Sequence, residues 1–473
     1  TTYITHMVKS TRQLGIGCLL LSLLACSMSP EYDVAPQGLL LPERYSTQLQ
    51  AMEDRQIDSL WWQSFGNQEL NQLISAAERQ SYDLAAAIAR VTQARAQARV
   101  AGAARFPQVS SAASAGRAGP LKNNQLPTQS HDNSYGIALT TRYELDFWGA
   151  NRAQALAGQA ALRASEFDRA TIRLTVLANV AKQWLQAVGL RQRQAIATLN
   201  ISNAKAILSF VEAKARSGAA TELELAQQRA LLAAQRRSLA ALQQQADDAS
   251  NTLALLLGQA DIAFNTPSLA SITLPPIPAT GLPAKLILQR PDIASAEAAL
   301  AEADANITVA RAALLPQFSF SADITDNSSV FRDLVKSPLY NLAANLTAPV
   351  FNGGRLRAQR DVAIAAREAL LADYRQTLLN AFIDVEKTLD TIAGIDAQSV
   401  AQNEQLRHSR RALELAQLRY RAGADTLLTL LNSQDALYDA EDDAVQLRLQ
   451  RLQASVDLYR ALGGGWSGNH KTQ

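Results

Sequence analysis

Cysteine is almost missing from this chain: Cys18 and Cys26 are the only two, and both stand near the start. That excludes a disulfide framework and a cysteine-type zinc site from everything that follows, so stability has to come from packing. Histidine is as sparse, and His6, His131, His408 and His470 stand too far apart for metal-ligand spacing. Charged residues make up 19% and aromatics 6%, against ~25% charged in soluble chains. The formal net charge of +2 comes with no basic run and no basic-aromatic interleaving, so nucleic acid is not an expected partner. There is no glycine-rich phosphate loop and no nucleophile elbow. Asp247-Asp248 and Asp442-Asp443 lie on alanine- and glutamine-rich helical stretches, where carboxylates form solvated faces rather than acid–base pairs. No enzyme, cofactor or metal is expected.

What the chain does have is a repeat. Landmarks recur in the same order about 205 residues apart. Arg105-Phe106-Pro107-Gln108 answers Leu314-Leu315-Pro316-Gln317, and Phe147-Trp148-Gly149 with Arg152 answers Phe351-Asn352-Gly353 with Arg355. Arg216-Ser217-Gly218-Ala219-Ala220-Thr221 answers Arg421-Ala422-Gly423-Ala424-Asp425-Thr426, and Leu256-Leu257-Gly258 answers Ala461-Leu462-Gly463. Alanine-rich helices mimic one another by composition, but ordered glycine, proline and arginine landmarks point to duplication.

From Met7 the chain reads as a charged stretch with Lys9 and Arg12, then an apolar run from Leu14 to Ala25 that is too short to span a bilayer. This is the pattern of a secretory signal, with Thr1 to His6 upstream of it. Leu23-Leu24-Ala25-Cys26 resembles the lipobox of bacterial lipoproteins, which implies a diacylated Cys26 as the first mature residue and, with Ser27 rather than aspartate after it, delivery to the outer membrane. No later run of about 18 apolar residues exists, so no membrane-crossing helix is expected.

Four segments alternate with period two. In Tyr135 to Leu145 the odd positions are mostly large and apolar and the even ones small or polar, and Phe318 to Thr325 and Tyr340 to Val350 repeat the pattern. The partner near Gln108 to Arg117 is mostly Ser and Ala. Strands of about ten residues with unlike faces suit a transmembrane β-barrel. Four strands per chain cannot close one, because single-chain barrels begin at about eight and lipid tolerates no open edge. An obligate oligomer with a shared barrel is expected.

Asn151 to Ala215 carry no proline and predict a helix of roughly 65 residues, ~98 Å long. Glu69 to Arg105 and Thr221 to Leu257 predict helices of roughly 37 residues or ~55 Å each, which stacked end to end match the long one. In the second repeat, Ile293 to Leu314 and Thr426 to Leu462 stand against Arg355 to Arg421, and the proline-rich stretch Pro267 to Pro283 joins the halves. The fold class is mainly α, with long antiparallel helical hairpins forming an α-barrel and four strands per protomer. The organisation expected is a signal region (1–25), a lipidated segment (26–66), a first repeat (67–258), a linker (259–290), a second repeat (291–463) and a tail (464–473).

These residues resemble the TolC-like outer membrane factor family, in its NodT-type lipoprotein branch. The marks are Trp61-Trp62 with Phe65, Phe106-Pro107, Leu145-Asp146-Phe147-Trp148-Gly149, Gln289-Arg290-Pro291-Asp292-Ile293, Phe351-Asn352-Gly353-Gly354-Arg355, Tyr420-Arg421-Ala422-Gly423 and Leu458 to Trp466. The resemblance implies a homotrimer with a twelve-strand barrel in the outer membrane and a helical periplasmic tunnel. It implies the exit duct of a tripartite efflux pump, working with a periplasmic membrane-fusion adaptor and an inner-membrane transporter. Cys26 would carry diacylglycerol and palmitate, and the turns at Arg216 and Gly218 and at Arg421 and Gly423 would be the tips where adaptor hairpins dock. In the family, acidic residues six and nine positions past the second tip glycine ring the closed aperture; here they are Thr429 and Asn432, with Asp425 and Asp435 the nearest acidic substitutes. Tyr420 matches a tip tyrosine that helps hold the closed state, so that Tyr420→Phe is expected to raise leak. The rival reading is a helical spacer tethered by Cys26 without a pore, which requires the four alternating segments to be soluble.

Overall fold

The computed structural model describes residues 42, 44–47, 57–119, 132–266, 268–278 and 289–466. Two compact units divide the chain, Thr1–Leu39 and Leu40–Gln473, and every described residue lies in the second. The signal region and Cys26 lie outside the described residues.

The elements in chain order are α1 (Gln68–Gln80), α2 (Tyr82–Ala103), β1 (Gln108–Ala118), β2 (Asp132–Leu145), α3 (Ala150–Arg216), α4 (Glu222–Leu256), α5 (Pro291–Ala312), β3 (Gln317–Ser328), β4 (Leu339–Thr347), α6 (Arg355–Arg421) and α7 (Leu427–Ala461). Single 3₁₀ turns lie at Trp61–Phe65, Leu269–Ser271 and Phe331–Asp333. The long helices α3 and α6 have 67 residues each, about 100 Å at 1.5 Å per residue. Helices α2 and α4 both flank α3, while α5 and α7 both lie between α3 and α6, so paired shorter helices do match each long one.

Two expectations need correction. The helix expected from Glu69 to Arg105 is two helices, broken at Ser81, whose backbone is extended (φ −62°, ψ 125°). Ser81 still closes both ends, donating its N–H to the Ala77 carbonyl and accepting the Ala85 N–H, each at 3.0 Å. The break frees α1 to turn Leu70, Leu73, Ile74 and Ala77 into the main core while α2 follows α3. Strand β4 stops at Thr347 rather than Val350, because Pro349 has no N–H for the ladder, and Val350 is exposed.

The main core lies where α1, the 3₁₀ turn at Trp61, the middle of α3 and the inner ends of α4 and α7 meet, around Trp61, Phe65, Trp184, Leu253 and Tyr459. Trp61 stacks on Tyr459 at 5.6 Å between ring centroids. A polar knot is set into it. The Glu69 carboxylate accepts the Trp184 indole N–H at 3.2 Å, the Thr266 N–H at 3.1 Å, the Thr266 hydroxyl and the Asn265 N–H. Burial pushes the Glu69 carboxyl up, but these donors outweigh it and hold it below the usual range. The tail expected from residue 464 is packed at its start, beside this core: Trp466 meets Phe167 edge-on at 5.6 Å.

Candidate functional site

One end of the molecule is the sheet, antiparallel in the order β1-β2-β3-β4. Directly opposed residues share a face. Leu139 opposes Ser111 and Ile324, Ile324 opposes Tyr340, Phe320 opposes Tyr143, and Leu342 opposes Ala322. One face is therefore apolar, with Leu139, Ile324, Leu342 and Leu346 exposed on it. The other carries Thr140, Arg142, Glu144, Ser321, Asp323, Asn341 and Asn345. Aromatic rings bound the apolar face at both ends. Tyr135 and Phe331 stand at the far end, Tyr340 level with Leu139 between the ends, and Tyr143, Phe320, Phe318 and Phe147 at the helix end, where Phe147 meets Phe318 at 4.8 Å. From Tyr135 to Tyr143 is about 26 Å at ~3.3 Å per residue before tilt, close to the ~25 Å apolar band between the aromatic girdles of outer-membrane strands. The outer edges of β1 and β4 have no partner strand among the described residues.

The Leu145-to-Gly149 motif joins this sheet to α3. The Asp146 carboxylate accepts the Asn151 N–H at 3.1 Å and the Arg152 N–H at 2.8 Å, satisfying two orphan donors at the start of the helix. Trp148 donates its indole N–H to the Pro316 carbonyl at 2.6 Å, tying the first repeat to the second at the sheet end.

The other end holds the two tip turns, where the structure brings Arg216 and Gly218, and Arg421 and Gly423, into matching hairpins. Each long helix ends in a left-handed glycine, Gly218 at φ 76° and Gly423 at φ 73°. The Ala219 N–H reaches the Lys214 carbonyl at 2.8 Å and the Ala424 N–H the Arg419 carbonyl at 2.9 Å, with Gly218 bonding Ala215 and Gly423 bonding Tyr420. This is the Schellman closure, which needs the glycine conformation. The returns differ. Thr221 and Glu224 form a reciprocal capping box on α4, whereas Thr426 caps α7 facing Thr429. Asp425 supplies the missing carboxylate, accepting the Thr426 N–H and the Thr429 hydroxyl at 2.8 Å each and pairing with Arg419 at 3.1 Å. Those bonds, the Thr426 N–H first, hold the Asp425 carboxyl below its ordinary range.

Of the other aperture candidates, Thr429 and Asn432 line an open groove of about 460 Å³ with Gln405, His408, Ser409, Ala412, Ser433 and Ala436, between α6 and α7. Asp435 is exposed beyond it, and its carboxyl is raised by partial burial and then by the charge of Asp439 one turn on. The four candidates are thus not brought into one cluster: Asp425 is bound to Thr429, and Asp435 stands apart.

Tyr420 is buried among Ile207, Val211, Leu427 and Leu430, in a cluster that joins the two hairpins. Its ring meets Phe210 edge-on at 5.9 Å, and the Lys214 ammonium sits 4.3 Å from its centroid. Burial and then the Glu224 charge raise the hydroxyl pKa, yet that hydroxyl, buried, makes no well-formed hydrogen bond. What holds Tyr420 is its ring. Sequence reasoning missed Lys214, Phe210 and Glu224; the Thr221-to-Glu224 capping spacing was readable, the cross-hairpin contact was not. Among the described residues no group of His, Cys, Asp and Glu is placed to hold a metal, and no helix is long and apolar enough to cross a membrane.

A family model described as outer membrane efflux protein matches residues 73–259 and 282–464. The chain belongs to the outer membrane efflux protein family. The pyoverdine export outer membrane protein OpmQ of Pseudomonas putida is 46% identical over 473 residues, spanning 98% of this chain and 99% of its own. The protein of the same name from Pseudomonas aeruginosa is 44% identical over 464 residues, spanning 96% and 97%. The crystal structure of CusC, a transmembrane channel, superposes with a TM-score of 0.82 at 29% identity, covering 93% of this chain and all of its own. The chain is thus an outer-membrane channel, the exit duct of a tripartite export system, and its family is one of transporters. The two-girdled apolar face belongs in lipid, and the spacer without a pore is set aside.

Proposed function

We propose that three copies of this chain close a twelve-strand barrel and a continuous helical duct, anchored by acyl chains on Cys26. The observation that carries this reading is the sheet: among the described residues its two edges are unpaired, which lipid does not tolerate, and its four strands are too few to close alone. Two acyl chains on Cys26 supply the stable attachment that one does not. The exposed tips, with Arg216 and Gly218 on one hairpin and Arg421 and Gly423 on the other, are the docking points for a periplasmic membrane-fusion adaptor. That adaptor links the duct to an inner-membrane transporter, which supplies the energy.

The cargo we infer is pyoverdine-class, because the two relatives at 46% and 44% identity both carry that export role over nearly the full chain. The fold itself does not choose a cargo. Expression in a Pseudomonas putida strain lacking its pyoverdine export outer membrane protein tests it. Restored pyoverdine in the medium supports the assignment; pyoverdine retained in the periplasm beside a correctly inserted channel refutes it.

A further inference from the structure

The turn between β3 and β4, Ser329 to Pro338, sits at the far rim of the sheet, away from the helices. Three contacts fold it onto the apolar face rather than across the barrel mouth. The Val330 N–H donates to the Ser328 hydroxyl at 3.1 Å, and the Ser337 N–H donates to the Asp326 carboxylate at 2.9 Å. Ser328 opposes Tyr135 and Asp326 opposes Ile137, which puts both on the apolar face. The Asp326 carboxylate is itself buried, while its contact with the exposed Ser337 is part-buried. The third is the Phe331 ring, edge-on to Tyr135 at 5.6 Å.

Despite that anchoring, the turn presents apolar side chains outward. Phe331 is 70% exposed and Val335 69%. Val335 is the one non-glycine described residue with positive φ, 76°, a conformation costly for a β-branched residue. Two cations stand beside these residues, Arg332 with its side chain 85% exposed and Lys336 at 65%, sharing the single carboxylate of Asp333. The turn carries one surplus positive charge. Aromatic and aliphatic groups level with the girdle, with arginine and lysine at their margin, are the chemistry of a bilayer boundary.

We propose that this turn is a wedge in the outer leaflet, with Phe331, Val330 and Val335 in the acyl boundary and Arg332 and Lys336 on the anionic phosphates of lipid headgroups. The occupant is lipid because the Phe331 ring, against Tyr135, joins the turn to the lipid-facing side of the sheet at its rim, over the polar pair Asp326 and Ser328. It rests on the outer-membrane reading, and the test separates the two.

Nitroxide labels on Phe331→Cys, Val330→Cys, Leu342→Cys and Ser321→Cys, in phosphatidylcholine vesicles with or without lipopolysaccharide, report contact with oxygen in lipid and a nickel chelate in water. Labels at 330 and 331 are expected to meet the chelate several-fold less than at 321, at a depth between 342 and water. Lipopolysaccharide is expected to draw them deeper, and R332Q with K336Q to abolish that shift. Free inorganic phosphate is expected to produce none. A label at 331 as chelate-accessible as at 321 overturns the wedge, as does one shielded from both probes, which means packing on another copy. A depth unmoved by lipopolysaccharide, or moved by free phosphate, overturns the headgroup contact. If Leu342 is itself chelate-accessible, the barrel reading has failed instead.

Discussion

The contact between Lys214 and Tyr420 makes a prediction opposite to the one the tyrosine alone invites. A cation over an aromatic face contributes about 1 kcal/mol at a half-buried site, and the edge contact from Phe210 adds about 1 kcal/mol more. The tyrosine hydroxyl is buried with the Glu224 carboxylate as its acidic neighbour but without a partner at full hydrogen-bond geometry. Leaving such a group unpaired costs about 1–3 kcal/mol, so its removal is neutral or stabilising. We therefore predict that Tyr420→Phe leaves the closed state intact, where the family resemblance implies increased leak. Lys214→Met keeps the stem and removes the charge, and about 1 kcal/mol shifts a closed-to-open ratio roughly fivefold. Tyr420→Ala removes ring and packing together, about 3–5 kcal/mol in a buried cluster. Single-channel recording in planar bilayers reads all three, with open probability rising in the order Phe, Met, Ala. Equal leak from Tyr420→Phe and Tyr420→Ala would return the role to the hydroxyl, and an unchanged Lys214→Met channel would remove the cation from it.

Three further outcomes follow from the helical region. The Glu69 pKa is lowered in the folded protein, so its contribution to stability is present above the unfolded value of about 4.3 and fades as pH falls through the folded one. Glu69→Gln is expected to lower neutral-pH stability by about 1–2 kcal/mol and flatten the acid limb of the melting curve; a parallel acid limb contradicts it. Gly463→Ala is expected to displace the end of α7 from the backbone before α5 and lower stability, because a Cβ there would lie 1.9 Å from the Gln289 carbonyl oxygen at φ 86°; an unchanged melting temperature refutes that packing. Asp425→Ala is expected to speed amide exchange at residues 426–429 while leaving the 221–224 tip unchanged, since only the second tip relies on that carboxylate; equal exchange at both tips contradicts it.

Much of this was legible because the periodicities are long. Proline-free runs and the glycine landmarks Gly218 and Gly423 give both 67-residue helices within a residue or two of their observed ends. Period two in Tyr135 to Leu145 gives the two faces of the sheet. The break at Ser81 was missed because alanine-rich sequence runs straight through it; its only local sign is a serine followed two residues later by Asp83. The charge and position that make Asp425 an aperture candidate are visible in the sequence, while its bonds to Thr426, Thr429 and Arg419 are not. Lys214 is an ordinary lysine near a helix C-terminus, and only the packing of one hairpin on the other sets it over an aromatic ring from the other repeat. The polar knot at Glu69 draws donors from residues 184, 265 and 266, a separation no local pattern reports.

The central claim is that four strands per chain become a closed barrel only by sharing. Native mass spectrometry of the mature protein, extracted from outer membranes in mild detergent, tests it most directly and weighs the modification on Cys26 in the same spectrum. The prediction is a complex of three identical chains, each carrying the mass of its acyl groups. A single folded chain as the stable species would contradict the shared barrel.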